Sequence, residues 1–209
     1  MPIVSEEHKE ERRNEIINAC EKIYKEKGFY GVTLKEISTA ISVTRPAMYT
    51  YFETKDEILL ALLEREYEKW CVSLEKICKK AGKMSRNELA DAVSGTLKDR
   101  EILLRIQNMN LYEIELNSRV EHLARFKEIY GKALEAMTDI LKAYSDKIDD
   151  KECETICLTF FSFLFGVYPF VFHTDKQNEA MEMAGIRQSD VTIKSMVYEL
   201  LVRLIPDNK

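Results

Sequence analysis

Glycine and proline are scarce, seven and four in 209 residues, and this excludes a chain built mostly of turns. With 45% hydrophobic and 32% charged residues, disorder is not expected either, and long helices are. No G-x-S-x-G, H-E-x-x-H, P-loop or dinucleotide fingerprint occurs. His8, His122 and His173 are scattered, and acidic pairs such as Asp149-Asp150 sit in polar stretches typical of solvated loops. Nothing here gathers the groups an enzyme needs, so no catalytic, metal or cofactor site is expected. The five cysteines form no C-x-x-C pair, and with no recognisable secretion leader they point to free thiols in a reducing cytoplasm. Cys153 and Cys157, at i and i+4, read as two small buried hydrophobes in preference to a metal or redox pair.

Long apolar runs are nearly absent as well. One, Ile156 to Phe172, falls short of the about 20 residues that cross a bilayer. It is interrupted by Thr159, Ser162, Gly166 and Pro169, and the acids Asp149, Asp150, Glu152 and Glu154 precede it. A helix buried on two sides is expected there, not a membrane span. Basic excess is also missing. The formal net charge is −5, and residues 1–55 carry nine basic and nine acidic side chains, so the whole deficit lies in 56–209. That balance argues against nonspecific coating of nucleic acid, which is driven by bulk positive charge.

What is present is Thr33 to Phe52, TLKEISTAISVTRPAMYTYF. Thr33 and Glu36 fit a capping box. Leu34, Ile37 and Ile41 form one apolar face of a short helix. Val43 is an apolar plug in a turn, and Thr44 can cap a second helix. Pro46 is tolerated only in a first turn, where its missing N–H is harmless. Met48 and Phe52, one turn apart, face inward. Pro46, Ala47 and Thr50 are left on the outer face, flanked by Arg45, Tyr49 and Tyr51. A second capping box, Thr54 to Glu57, opens the next helix. Two short helices about a tight turn are the layout of a helix-turn-helix, whose second helix enters the DNA major groove.

These residues resemble the N-terminal domain of the TetR family of transcriptional regulators. The likeness lies in Thr33, Ile37-Ser38, Val43-Thr44, Met48-Tyr49-Thr50-Tyr51-Phe52, Lys55 and Leu59, with Gly28-Phe29 upstream, and it covers about the first 65 residues. Two positions depart from the family pattern. Ser42 replaces the turn glycine and is expected to take a less comfortable backbone conformation. Pro46 replaces the glycine of the recognition helix and alters the groove-facing surface.

The resemblance implies an all-α protein. A three-helix helix-turn-helix domain would occupy 1–55 and a larger helical ligand-binding and dimerisation domain 56–209. Helices are expected at about 7–27, 56–80, 86–98, 100–115, 119–146, 151–173 and 189–205 in addition to the motif, with Gly28 ending the first and Pro206 the last. Family members dimerise through their last two long helices, here 151–173 and 189–205, and the second offers Val191, Met196, Val197, Leu200, Leu201 and Leu204 for a symmetric four-helix interface. Double-stranded operator DNA and a small-molecule effector are the other partners implied.

Arg45 is expected to read guanine, whose O6 and N7 an arginine can grip. Pro46 and Ala47 would contact thymine methyls. Thr33, Lys35, Thr44, Tyr49, Tyr51 and Lys55 complete the DNA-binding set, mainly on phosphates, and Thr50 could serve either role. For the effector, Trp70, Asn108, Tyr112, His122, Phe126, Phe161 and Phe165 combine apolar bulk with a few polar tips, as ligand sites do. The same residues also read as ordinary core, and His122 as an exposed or hydrogen-bonded side chain.

Overall fold

The computed structural model describes residues 6–187 and 189–207, and among them every regular element is a helix. The first, α1 (Glu6–Gly31), buries Ile16, Ile17, Cys20, Ile23 and Tyr24, the stripe that its spacing marks as inward. Gly28 breaks it with φ of 69°, a left-handed value open to a residue without Cβ. The expected stop is therefore a kink, and the chain turns helically again as far as Gly31. Next come α2 (Leu34–Thr39) and α3 (Arg45–Met48), followed by α4 (Lys55–Ala81), α5 (Arg86–Gly95) and α6 (Glu101–Met109). Then follow α7 (Leu111–Leu116), α8 (Val120–Tyr144), α9 (Asp150–Leu164), α10 (Tyr168–Val171), α11 (Asp175–Met183) and α12 (Ile193–Leu204).

The chain divides into two compact units. One continues through the motif to Glu66 and takes in Met109–Ile129; the other holds Tyr67–Asn108 and the chain from Tyr130 onward. A boundary at 55/56 marks the end of the motif, but the unit that contains the motif is larger. Long-range polar pairs lie within it. Arg65 donates to Asn18 Oδ1 and to Glu21 Oε2, each at 2.6 Å. Tyr24 donates to Asn110 Oδ1 at 3.4 Å, and Arg13 and Arg125 both reach the Glu64 carboxylate at 3.4 Å.

Three helix boundaries differ from expectation. The stretch 100–115 is two helices, because Asn110 leaves helical geometry (φ −139°, ψ −8°) and becomes the N-cap of α7. The run 151–173 ends as a helix at Leu164. Phe165 and Gly166 turn, and Pro169 sits in the first turn of α10, where it needs no N–H partner. The third is α11, where no helix was expected. Thr174 and Gln177 cap it reciprocally, and none of its residues is buried.

Asn108 secures the α9–α10 break. Its Nδ2 donates to Leu164 O at 2.7 Å and to Leu104 O at 2.8 Å, and its Oδ1 accepts from Tyr168 N at 3.1 Å. Asn108→Ala would strand groups freed by that break, and the expected loss is about 1–2 kcal/mol of unfolding free energy. Urea unfolding followed by circular dichroism checks it; an unchanged midpoint would show that the turn holds itself.

In the second unit α12 packs against α5 and α9. Ile193, Val197 and Leu201 enter the core, whereas Val191, Met196 and Leu200 stay half-exposed. With Phe163 they line an open groove of about 510 Å³, edged by Asp190, Glu199 and Arg203.

Candidate nucleic-acid interface

The motif folds as a capped short helix, a plugged turn and a second short helix. The hydroxyl of Thr33 accepts from Glu36 N at 3.1 Å. The capping box is only half made, since the Glu36 carboxylate instead meets Lys27 Nζ at 2.5 Å. Val43 is buried and plugs the turn. Ser42 shows no strain, for no described residue other than glycine has a positive φ. The expected discomfort is absent because Glu15 on α1 holds Ser42 from outside the motif, accepting from its N at 2.5 Å and its Oγ at 3.0 Å.

The second helix is shorter than the pattern suggests. Only Arg45–Met48 is regular α-helix, and Tyr49 to Tyr51 follow as turns, with Tyr51 N and Phe52 N both bonding to Met48 O. Thr44 occupies the N-cap by backbone geometry, yet its side chain makes no capping bond. Met48 and Phe52 are wholly buried. That fixes the outer face. Thr33, Lys35, Thr44, Arg45, Pro46, Tyr49 and Thr50 are exposed, and Ala47, Tyr51 and Lys55 are half-exposed.

The polar tips differ in how free they are. Arg45 Nη2 donates to Tyr49 OH at 3.4 Å, leaving most of the guanidinium fork open. Thr50 donates to Ala47 O at 2.7 Å, so its hydroxyl hydrogen is already spoken for. Lys55 Nζ lies 3.9 Å from the centre of the Phe29 ring, a cation–π seat that holds the ammonium near the end of α1's kinked turn.

Beneath this face is a group of residues outside the expected set. Glu57, fully buried, accepts from Arg119 Nε at 2.6 Å, Arg119 Nη2 at 3.0 Å and Arg119 N at 3.2 Å. Glu53 N supplies a fourth donor at 2.6 Å. Burial pushes the Glu57 carboxyl up, but these hydrogen bonds outweigh it and hold the group below its usual value. His122 stacks near Phe52, ring centres 5.6 Å apart, and its Nε2 is 3.0 Å from Arg119 Nη2. Burial pushes its imidazole below 6.5, Glu57 pulls the other way, and Arg119, Arg125 and Arg13 add to the depression.

Both shifts favour the high-pH forms in the folded protein. As pH falls below 6.5 the unfolded histidine takes up its proton before the folded one does, so stability declines from there. The contribution of Glu57 is present above 4.5 and is lost as pH falls further, through its lowered folded value. Urea midpoints should therefore drop from pH 7 to pH 5, and His122→Gln should flatten the upper part of that drop. A slope unaffected by this substitution would place the titration elsewhere.

The expected effector residues do not form one group. Trp70, wholly buried, lies 5.6 Å from Phe161 between ring centres, and Tyr130 joins Phe161 at 5.6 Å to Phe165 at 6.3 Å. These are in the second unit, with Tyr67 and Gln107, which sequence reasoning passed over. Tyr67 OH donates to Gln107 Oε1, while the buried Gln107 Nε2 has no hydrogen-bond partner among the described residues. Asn108 is committed to the α9–α10 turn. Tyr112, His122 and Phe126 belong to the first unit: Tyr112 is 85% exposed, Phe126 is core, and His122 stands by Glu57.

No three His, Cys, Asp or Glu side chains among the described residues are placed to hold a metal ion. Burial raises the thiols of Cys153 and Cys157. Among the described residues, no helix is long and apolar enough to cross a membrane.

A capped short helix, a plugged turn and a second short helix with an exposed outer face have the layout of a helix-turn-helix. Residues 16–62 match the family profile of bacterial regulatory proteins of the tetR family, and residues 64–206 match the tetracyclin repressor-like C-terminal domain. The chain belongs to the TetR family of transcriptional regulators. It is 31% identical over 75 residues to the HTH-type transcriptional regulator YfiR of Bacillus subtilis, covering 36% of this chain and 37% of that one. It is 32% identical over 69 residues to the HTH-type transcriptional repressor Rv1474c of Mycobacterium tuberculosis, covering 33% and 37%. The matched stretch thus spans about a third of the length of these curated relatives. A TetR/AcrR-family regulator from Thermobifida fusca shares the fold with a TM-score of 0.61 and 19% identity, over 95% of this chain and 99% of that one.

Proposed function

We propose that the chain acts in the cytoplasm as a homodimeric repressor, released from a pseudo-palindromic operator by a small, largely apolar ligand. The observation that carries this reading is the exposed set Arg45, Pro46, Tyr49 and Thr50 above a buried Met48 and Phe52. Such a short helix, packed on one side only, offers its other side to the groove. Residues 1–55 would bind DNA, and 56–209 would bind the effector and the second copy. Dimerisation through α9 and α12 is supported by the half-exposed row Val191, Met196 and Leu200 along the groove beside Phe163. The effector reading is supported by the aromatic group around Trp70 and by the unpartnered Gln107 Nε2, since a buried donor normally finds a partner in protein, water or ligand. Repression agrees with the role of Rv1474c, a transcriptional repressor that matches this chain over 69 residues.

A salt-dependent titration against DNA from just upstream of the protein's own gene tests the reading. Tight binding to a footprinted palindrome, lost with Arg45→Ala, supports it. Weak binding, indifferent to sequence, would leave only the electrostatic background and count against this operator.

A further inference from the structure

The backbone that leaves the recognition helix is held from a distant part of the chain. Arg119 stands in the turn between α7 and α8. Besides gripping Glu57, its Nη2 reaches Tyr51 O at 3.4 Å and its Nη1 reaches Glu53 Oε1 at 3.0 Å. Alongside, Thr54 Oγ1 donates to Asn117 O at 3.2 Å. Every residue from Tyr51 to Thr54 is therefore tied down, with Phe52 anchored as core under His122 and the Arg13 guanidinium, 5.8 Å from its ring centre.

A buried ion pair is a poor source of stability, because desolvation offsets most of the attraction. What four donors on one carboxylate supply is a defined geometry. That geometry is imposed on the peptide units between Tyr49 and Lys55, the stretch whose side chains are proposed to meet phosphates. We infer that Glu57 and Arg119 are positioning residues for DNA binding. They touch no DNA, and they set the pose in which the recognition helix and Lys55 present themselves together. The inference rests on the DNA-binding reading above.

The test replaces the pair by apolar residues of similar length, Glu57→Met with Arg119→Met. Affinity is measured on a duplex that the wild-type protein enriches from a random pool. A merely structural pair would leave this double variant folded and binding normally. The double variant also removes the acceptor of Glu53 N and Arg119 N, so it should melt lower and is assayed at a temperature where circular dichroism shows it folded. Positioning predicts affinity lower there by about tenfold or more, with an unchanged salt slope because no phosphate contact is removed. Normal affinity in the folded double variant would overturn the inference. Arg119→Lys guards against misfolding. It keeps the charge but loses the fork, and it should weaken binding several-fold at constant melting temperature. Wild-type affinity in that variant would overturn the inference equally. A wild-type protein that enriches no duplex would remove the DNA-binding reading itself, and this inference with it.

Discussion

Glutamate at both Met196 and Leu200 is expected to yield a folded monomer whose affinity for a two-half-site operator is lower by about 10²–10⁴. The argument begins with α12, which has two apolar rows. Ile193, Val197 and Leu201 are buried within the protomer, so substitutions there would unfold it. Met196 and Leu200 are half-exposed on the neighbouring row, where a carboxylate stays hydrated in the monomer. In a symmetric interface each glutamate would face an apolar surface and be desolvated without a partner. The folded monomer is thus spared while the dimer is not. On DNA, a dimer that has bound one half-site presents its second recognition helix at high effective concentration, and a monomer forfeits this term. Sedimentation should show the protomer mass, the thermal melt should stay cooperative, and affinity for an isolated half-site should match that of wild-type protein at equal site concentration. A variant that still sediments as a dimer would move the interface away from α9 and α12. A monomer with full operator affinity would contradict the two-half-site reading.

The local parts of the fold were legible in the sequence and the long-range parts were not. The stripe Ile16, Ile17, Cys20, Ile23 and Tyr24 and the inner pair Met48 and Phe52 follow from helical spacing alone, and the structure buries all of them. Thr33 capping α2 is likewise a contact between residues three apart. The positive φ of Gly28 was readable too, but the stop expected there is a kink, with helical turns resuming to Gly31.

Ser42 was misjudged because its support comes from Glu15 on another helix. The helix of 151–173 was drawn through Gly166 and Pro169 because its apolar character continues there. The groups that a break would free could not be seen to meet Asn108. Asn108 consequently entered the effector set as a polar tip when its amide hydrogens already belong to the fold. For α11 a signal did exist, the Thr174 and Gln177 capping box, but a helix with no buried residue has no apolar period to attract notice. Glu57 was recognised only as a local cap. Its main partner, Arg119, is 62 residues away. Nothing in the spacing of either residue announces the other.

Arg45→Ala should weaken operator binding by about 1–3 kcal/mol, with the loss concentrated at one base pair. Arg45 is exposed at the start of α3, the end of a recognition helix that approaches base edges. Its Nη2 donates to Tyr49 OH, one turn on, at 3.4 Å. That contact steadies the guanidinium without using up its fork, so two parallel donors remain for guanine O6 and N7. Removing them leaves the base unread. The variant should bind the three other base pairs at that position almost as well as the original, and its salt slope should hardly change. Lys55→Ala makes the contrast. It should weaken every sequence alike and lower the salt slope by about one. It should also cost a little thermal stability, because the ammonium on the Phe29 ring contributes about 0.5–1 kcal/mol at an exposed site. Measuring both variants on the operator and on its single-base variants, at two salt concentrations, separates the roles. If Arg45→Ala loses affinity equally on all sequences and flattens the salt dependence, Arg45 grips phosphate. Sequence reading would then fall to the apolar pair Pro46 and Ala47, which can sense a thymine methyl but cannot tell guanine from its neighbours by hydrogen bonding.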